Sequence, residues 1–214
     1  MSQPVKRRYD SSRRREQAQE TRSLIVRAAR DLFLANGYGR TTVADIAQAA
    51  GVSPETIYGA FGNKETLLHK AWDITVGGDE QEILLHERPE VMAIRREPDL
   101  TRRLMLQAGF STQTAPRIAP FQLMLQSSSG SEPAAAAMLA EVARQRLAGL
   151  SVMAAEAAAT GQLAVSEERC RDVLWSTTDG MLWHRLVVER GWTNEDYADW
   201  LGRLWVATLV GPAR

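Results

Sequence analysis

Thr42, Ser53, Thr56, Tyr58 and Lys64 place hydroxyls, a phenol and an ammonium within one short stretch, TTVADIAQAAGVSPETIYGAFGNKETLL, residues 41–68. Groups of this kind donate hydrogen bonds, and nothing beside them is arranged to break a covalent bond. The residues that could do so are His69, His86, His184 and Cys170, and they are scattered along the chain. The histidines lack the paired spacing of a metal site such as HExxH. Cys170 is the single cysteine, so no internal disulfide can form, which fits a reducing, cytoplasmic setting. There is no GxSxG elbow and no glycine-rich phosphate loop; Gly37 and Gly39 mark only a turn. Binding is expected rather than catalysis, with no catalytic residue, no metal and no cofactor.

The elements that must position these groups are short and well punctuated. Thr42 and Asp45 form a capping box at the start of a helix whose buried stripe is Val43, Ile46, Ala47 and Ala50. Gly51 supplies a backbone position with positive φ. Ser53 caps the next helix, and Pro54 stands at its first position, where a missing N–H costs nothing. Ile57 and Phe61, four apart, face inward, leaving Pro54, Glu55, Thr56, Tyr58, Gly59 and Ala60 outward. Before them, residues 20–36 carry Leu24, Ile25, Ala28, Ala29, Leu32 and Phe33 at helical spacing. After them, Asn63 opens a fourth helix with Leu67, Leu68 and Ala71. Two capped helices joined by a glycine turn make a helix-turn-helix pattern, and a major groove admits one such helix if a firm scaffold holds it.

Charge points the same way. The chain has 214 residues and zero formal net charge. Residues 1–70 hold 12 Lys or Arg against 7 Asp or Glu, whereas residues 71–214 hold 14 against 19. A basic head on an acidic body suits contact with a polyanion at one end. Residues 1–19, with Arg13, Arg14 and Arg15, lack an apolar face and read as a flexible basic arm. It is either a solubilising tail or an arm laid on nucleic acid. No run of 18 apolar residues spans a membrane, and no leader peptide is expected at the start.

Residues 41–68, with the preceding LFLANGY, resemble the DNA-binding head of the tetracycline-repressor (TetR) family. The resemblance is specific over residues 22–70. Beyond that it rests on helix order and on TTDGMLWHRLV, which is similar to part of the family's penultimate helix. It implies a dimer on a palindromic double-stranded operator, repressing transcription, with a body that takes a small apolar or amphipathic effector. It also implies that Thr42 and Tyr58 touch DNA phosphate, that Thr56 and its neighbours Ser53 and Pro54 meet bases or phosphates, and that Lys64 binds phosphate. A plainer reading stands beside it as the lesser alternative: Thr42 and Ser53 as caps only, Tyr58 as a packing residue, Lys64 as a solvated charge.

The whole chain reads as all-α: a three-helix head over 20–71 and a larger helical effector-binding and dimerisation body over 72–214, about nine or ten helices in all. In the body, Gly77 and Gly78 interrupt a pattern that resumes at Ile83, Leu84 and Leu85. Residues 100–110 and 120–126 read as short helices separated by a loop containing Pro116. An alanine-rich helix over 132–160 is closed by Gly161. Ser166 opens a helix running to about Arg190, and Thr193 with Asp196 boxes the last one. Gly180 inside that penultimate helix costs about 1 kcal/mol against alanine, which a close helix crossing would offset. The last two helices carry the candidate dimer residues Trp183, Leu186, Val187, Trp200, Leu204, Trp205 and Leu209, which could equally be internal core. Met105, Phe110, Phe121, Met124, Met153, Trp175 and Asp179 are candidate effector-lining residues, with ordinary core packing as the alternative.

Overall fold

A computed structural model describes residues 6–79 and 85–210 and is all-helical, apart from an isolated antiparallel bridge between Leu163 and Val210. It divides into two compact units, Met1–Ile74 and Thr75–Arg214.

In the first unit the elements are α1 (Lys6–Asn36), α2 (Val43–Ala50), α3 (Pro54–Phe61) and the larger part of α4 (Lys64–Gly77). Ile25, Ala29 and Phe33 of α1, Ile46 of α2, Ile57 of α3, and Leu67, Leu68 and Ala71 of α4 are inaccessible to solvent or nearly so. Val26 is buried with them, whereas Leu24, placed on the inner face by its spacing, is 46% exposed. The expected boundary at residue 20 is corrected. α1 begins at Lys6, so Arg13, Arg14 and Arg15 lie on an exposed helical stretch rather than on a flexible arm. No glycine or proline interrupts residues 6–36, and Arg, Glu, Gln and Ala are good helix formers. Once the packed turns exist, extending the helix costs little.

In the second unit α5 (Pro89–Arg96) precedes α6 (Leu100–Ser128), α7 (Pro133–Ala159), α8 (Glu167–Thr177), α9 (Met181–Trp183) and α10 (Asn194–Leu209). α9 runs on as a π-helical stretch, His184–Glu189. α6 packs along α10, and α7 along α8. Leu104, Ala108, Ala119, Leu174, Leu201 and Trp205 stand in the core between them. The resumed pattern at Ile83 and Leu84 lies outside the described residues. Gln162 pins the start of α6: its side chain accepts from Leu100 N at 2.9 Å and donates to Pro98 O at 2.9 Å. Arg117 of α6 donates to Thr75 O at 2.8 Å and Val76 O at 3.0 Å, satisfying carbonyls in the last turn of α4. Among the described residues no helix is long and apolar enough to cross a membrane.

Two expectations for the body are corrected. The expected loop at Pro116 does not exist: α6 is one helix containing both Pro116 and Pro120. The two prolines are four apart and both exposed, so their rings lie on the solvent side of α6, while Ala115, Ala119 and Phe121 stay buried. The helix expected from Ser166 to Arg190 is broken instead at residues 178–180. Gly180 has φ +82°, and a Cβ there would lie 3.1 Å from Ala119 Cβ. The close crossing that its position suggested is present, but it comes with a break in the helix.

Candidate nucleic-acid interface

The exposed face of the helix-turn-helix starts from its caps. Thr42 Oγ1 accepts from Asp45 N at 3.1 Å, while Thr42 N donates to Asp45 Oδ2 at 2.8 Å, completing the expected box. The hydroxyl also gives its proton to Asp45 Oδ2 at 2.7 Å. These bonds, side chain first and backbone second, hold the Asp45 carboxyl below its usual range. Gly51 takes φ +67°, and Val52 N then returns to Ala47 O at 3.0 Å, which makes the turn. Ser53 Oγ accepts from Thr56 N at 3.3 Å and lies 3.2 Å from Thr56 Oγ1.

α3 is eight residues long and would not persist alone. Ile57 and Phe61 anchor it inward, at 0% and 8% exposure, and Tyr58 stands out at 54%. Ser53, Glu55, Thr56, Tyr58 and Gly59 are exposed, and Pro54 is half-buried. The Glu55 carboxyl is held below its usual range by its own backbone N–H first and then by Ser53, as a carboxylate at a helix start should be.

Lys64 is not the solvated charge of the plainer reading. Its Nζ donates to Tyr38 O at 3.0 Å and to Thr41 O at 3.1 Å, and lies 4.1 Å from the Tyr38 ring centroid. It ties the loop between α1 and α2 to the start of α4. Two of its three N–H groups are thereby committed, so it is neither a freely solvated charge nor a fully available phosphate ligand. Thr41, fully buried, adds a second tie by donating to Gly37 O at 2.9 Å and Leu32 O at 3.2 Å. Sequence reasoning missed Arg22, whose Nη2 donates to Ala60 O at 2.8 Å and whose guanidinium lies 4.9 Å from the Phe61 ring centroid.

In the body the candidate effector residues are not gathered round one cavity. Phe121 and Met124 are buried in the core, Phe110 and Met153 are half-buried, and Met105 covers Gly202 of α10. Trp175 is 39% exposed, with the Arg146 guanidinium 4.9 Å from its ring centroid. Only Asp179 of the seven lines the open cleft of about 470 Å³, together with Leu123, Met181, Leu182, His184 and Arg185. It also accepts from Met181 N at 2.9 Å, restarting the chain after the break. A smaller void of about 30 Å³ lies among Ser111, Thr114, Thr178 and Tyr197. Burial among apolar groups separated by sequence explains the scatter: methionine and phenylalanine fill whichever gap the helices leave.

The candidate dimer residues divide. Trp183, Trp205 and Leu209 are buried within the chain itself, at 7%, 0% and 0% exposure. Their place in an interface is therefore corrected to internal core. Trp183 Nε1 donates to Asn194 Oδ1 at 2.8 Å, and Trp205 Nε1 to Thr177 Oγ1 at 2.9 Å. Leu186, Val187, Trp200 and Leu204 remain half-buried, and Val188 and Trp192 are exposed. The last helix is capped by Thr193, but Asp196 reaches back only to the Thr193 hydroxyl, at 2.7 Å. Cys170 is buried, which pushes its thiol up to about 11.

Residues 25–71, from the core of α1 into α4, match the family model of bacterial regulatory proteins, tetR family. The helix-turn-helix head of this chain is similar to that of the TetR family. Among its relatives is the HTH-type transcriptional regulator TtgR of Pseudomonas putida, 48% identical over 61 residues, which are 28% of this chain and 29% of TtgR. NalD, described as the secondary repressor of the MexAB-OprM multidrug efflux pump in Pseudomonas aeruginosa, has the same fold. It has a TM-score of 0.68 at 20% identity, over 92% of this chain and all of NalD. A regulator from Saccharomonospora viridis in complex with choline gives a TM-score of 0.66 at 18% identity, over 91% and 100% of the two chains. Sequence likeness to the curated relatives is thus confined to about the first third of the chain, which spans less than a third of TtgR's length, and the body shares only the fold.

Proposed function

We infer that this chain is a dimeric, sequence-specific DNA-binding regulator of the TetR family, a repressor whose head enters the major groove of a palindromic operator. The observation that carries the reading is the outward face of α3: Thr56, Tyr58 and Gly59 exposed on a helix held by Ile57 and Phe61. Ser53, Pro54 and Thr56 sit at the groove-entering end. Tyr58, Thr42 and the remaining N–H of Lys64 donate to phosphate, and Arg13, Arg14 and Arg15 add charge along the backbone. Gly59 and Ala60 leave little on α3 to hydrogen-bond a base, so sequence preference leans on thymine-methyl contact and DNA shape. The TtgR and NalD names support regulation and repression.

A second copy meets the half-buried apolar side chains Leu186, Val187, Trp200 and Leu204, and two heads then read two half-sites. A small amphipathic effector enters the 470 Å³ cleft beside Asp179, a size within the usual range for ligand sites. The choline complex of the Saccharomonospora viridis regulator supports a small-molecule effector. The other void, of only about 30 Å³, favours a second reading, a body that takes no small ligand. Calorimetry against a metabolite panel separates these two.

The test of the main reading is selection of duplexes from a randomised library by the full chain, followed by a salt titration. A palindromic motif should be enriched, and log affinity should fall linearly with log salt at about 0.9 per neutralised phosphate. Failure to enrich any sequence would sink it.

A further inference from the structure

Arg22 occupies α1 but acts on α3. Its Nη2 reaches Ala60 O across 38 residues of sequence, 2.8 Å away, and its guanidinium stacks over Phe61 at 4.9 Å. Ala60 O belongs to the last four carbonyls of a helix, which have no partner within it. The backbone turns away immediately afterwards: Gly62, at φ +78°, donates to Tyr58 O at 2.9 Å, and Asn63 N donates to Phe61 O at 3.0 Å. A cation at a helix C-terminus also meets the negative end of its dipole.

We propose that Arg22 is a positioning residue for DNA recognition, one that sets the tilt of α3 from its far end and thereby the placement of Tyr58 and Thr56. α3 is held by the Ser53 cap at its start and by the buried Ile57 and Phe61 on its inner face. Apolar contacts carry little directional preference, so a helix of two turns seated on them can still roll and tilt. Arg22 supplies the directional tie at the far end, by its hydrogen bond to Ala60 O and its place over the Phe61 ring. Because the hydrogen bond to Ala60 O is exposed, water can replace it at little cost in stability. Geometry is lost in its place, and recognition depends on placement to within about an ångström. The proposal rests on the DNA reading above, and it assigns Arg22 to orientation rather than to phosphate.

The experiment uses the full chain, the duplex it enriches most from a randomised library, and a scrambled duplex of equal length. Arg22→Met keeps an unbranched apolar stem near Phe61 and removes the donor and the charge. It should weaken binding to the enriched duplex about tenfold while weakening the scrambled one less than about threefold, with the salt slope nearly unchanged. Arg22→Lys retains charge and one donor on a different geometry, and should give an intermediate ratio with wild-type affinity for the scrambled duplex. Circular dichroism at the binding temperature must show both variants folded, and the Lys variant carries the test if the Met variant is not.

Equal weakening on both duplexes with the slope reduced by about 0.9 would make Arg22 a phosphate contact and overturn the proposal. A wild-type specificity ratio in the variants would overturn it too. If the wild-type chain enriches nothing, the DNA reading itself falls and takes the proposal with it, an outcome distinct from both others.

Discussion

At Thr42 the hydroxyl proton already points to Asp45 Oδ2, so a phosphate can accept it only by displacing the carboxylate. The residue is a cap first, and a DNA contact is an exchange of acceptors. Asp45 reports on that cap. Its carboxyl is held below the unfolded value, near 3.9, so folding releases a proton between the two values. The stabilisation is complete above the unfolded value and is lost as pH falls through the lower folded one. A side-chain carboxyl titration by NMR should give a midpoint below that of a model peptide; one at or above it would mean that the box does not form in solution. Lys64 carries a separate expectation. Lys64→Met removes a donor from two backbone carbonyls of the loop before α2, of which Tyr38 O keeps a bond from Thr41 N at 3.3 Å, and should lower stability by about 1 kcal/mol as well as weakening DNA binding. A wild-type thermal midpoint would leave Lys64 with a phosphate role only. Neither Lys64 partner is near it in sequence, at 26 and 23 residues, so this tie could not be read from spacing.

At the scale of elements, glycine and proline acted in ways their positions alone left open. Pro116 and Pro120 stop a helix in most settings, yet here both stand on the solvent face of α6 while its other face packs on α10. Pro116→Ala should therefore restore a backbone hydrogen bond without disturbing the core, and raise stability by about 1–2 kcal/mol in urea unfolding. A loss would mean that the bend itself is needed. Gly180 is the opposite case. Its φ of +82° strains any L side chain, and a Cβ there would sit tightly, 3.1 Å from Ala119 Cβ. Gly180→Ala should cost about 1–3 kcal/mol, measured the same way; no cost would show that the break can close into a continuous helix.

For the molecule as a whole, tryptophan placement separates folding from assembly. Trp205 is wholly buried and hydrogen-bonded to Thr177, so Trp205→Ala should cost about 3–5 kcal/mol and unfold much of the body. Val188 is 56% exposed in the π-helical stretch that also carries Leu186 and Val187. Val188→Glu should leave the circular dichroism spectrum intact while shifting the sedimentation coefficient from dimer to monomer. A variant that stays dimeric would move the interface elsewhere.

The amino-acid order by itself determined the all-helical class, the caps at Thr42, Ser53, Asn63 and Thr193, and the inward pair Ile57 and Phe61. Each of these depends on residues no more than four apart, and local hydrogen bonding and helical period reach that far. Tertiary structure decided which tryptophans are interior, that α6 survives its prolines, and that Arg22 and Lys64 serve carbonyls on other elements. Long cations have no local partner dictated by the chain. Their targets exist only once separate helices have packed and left particular carbonyls within reach.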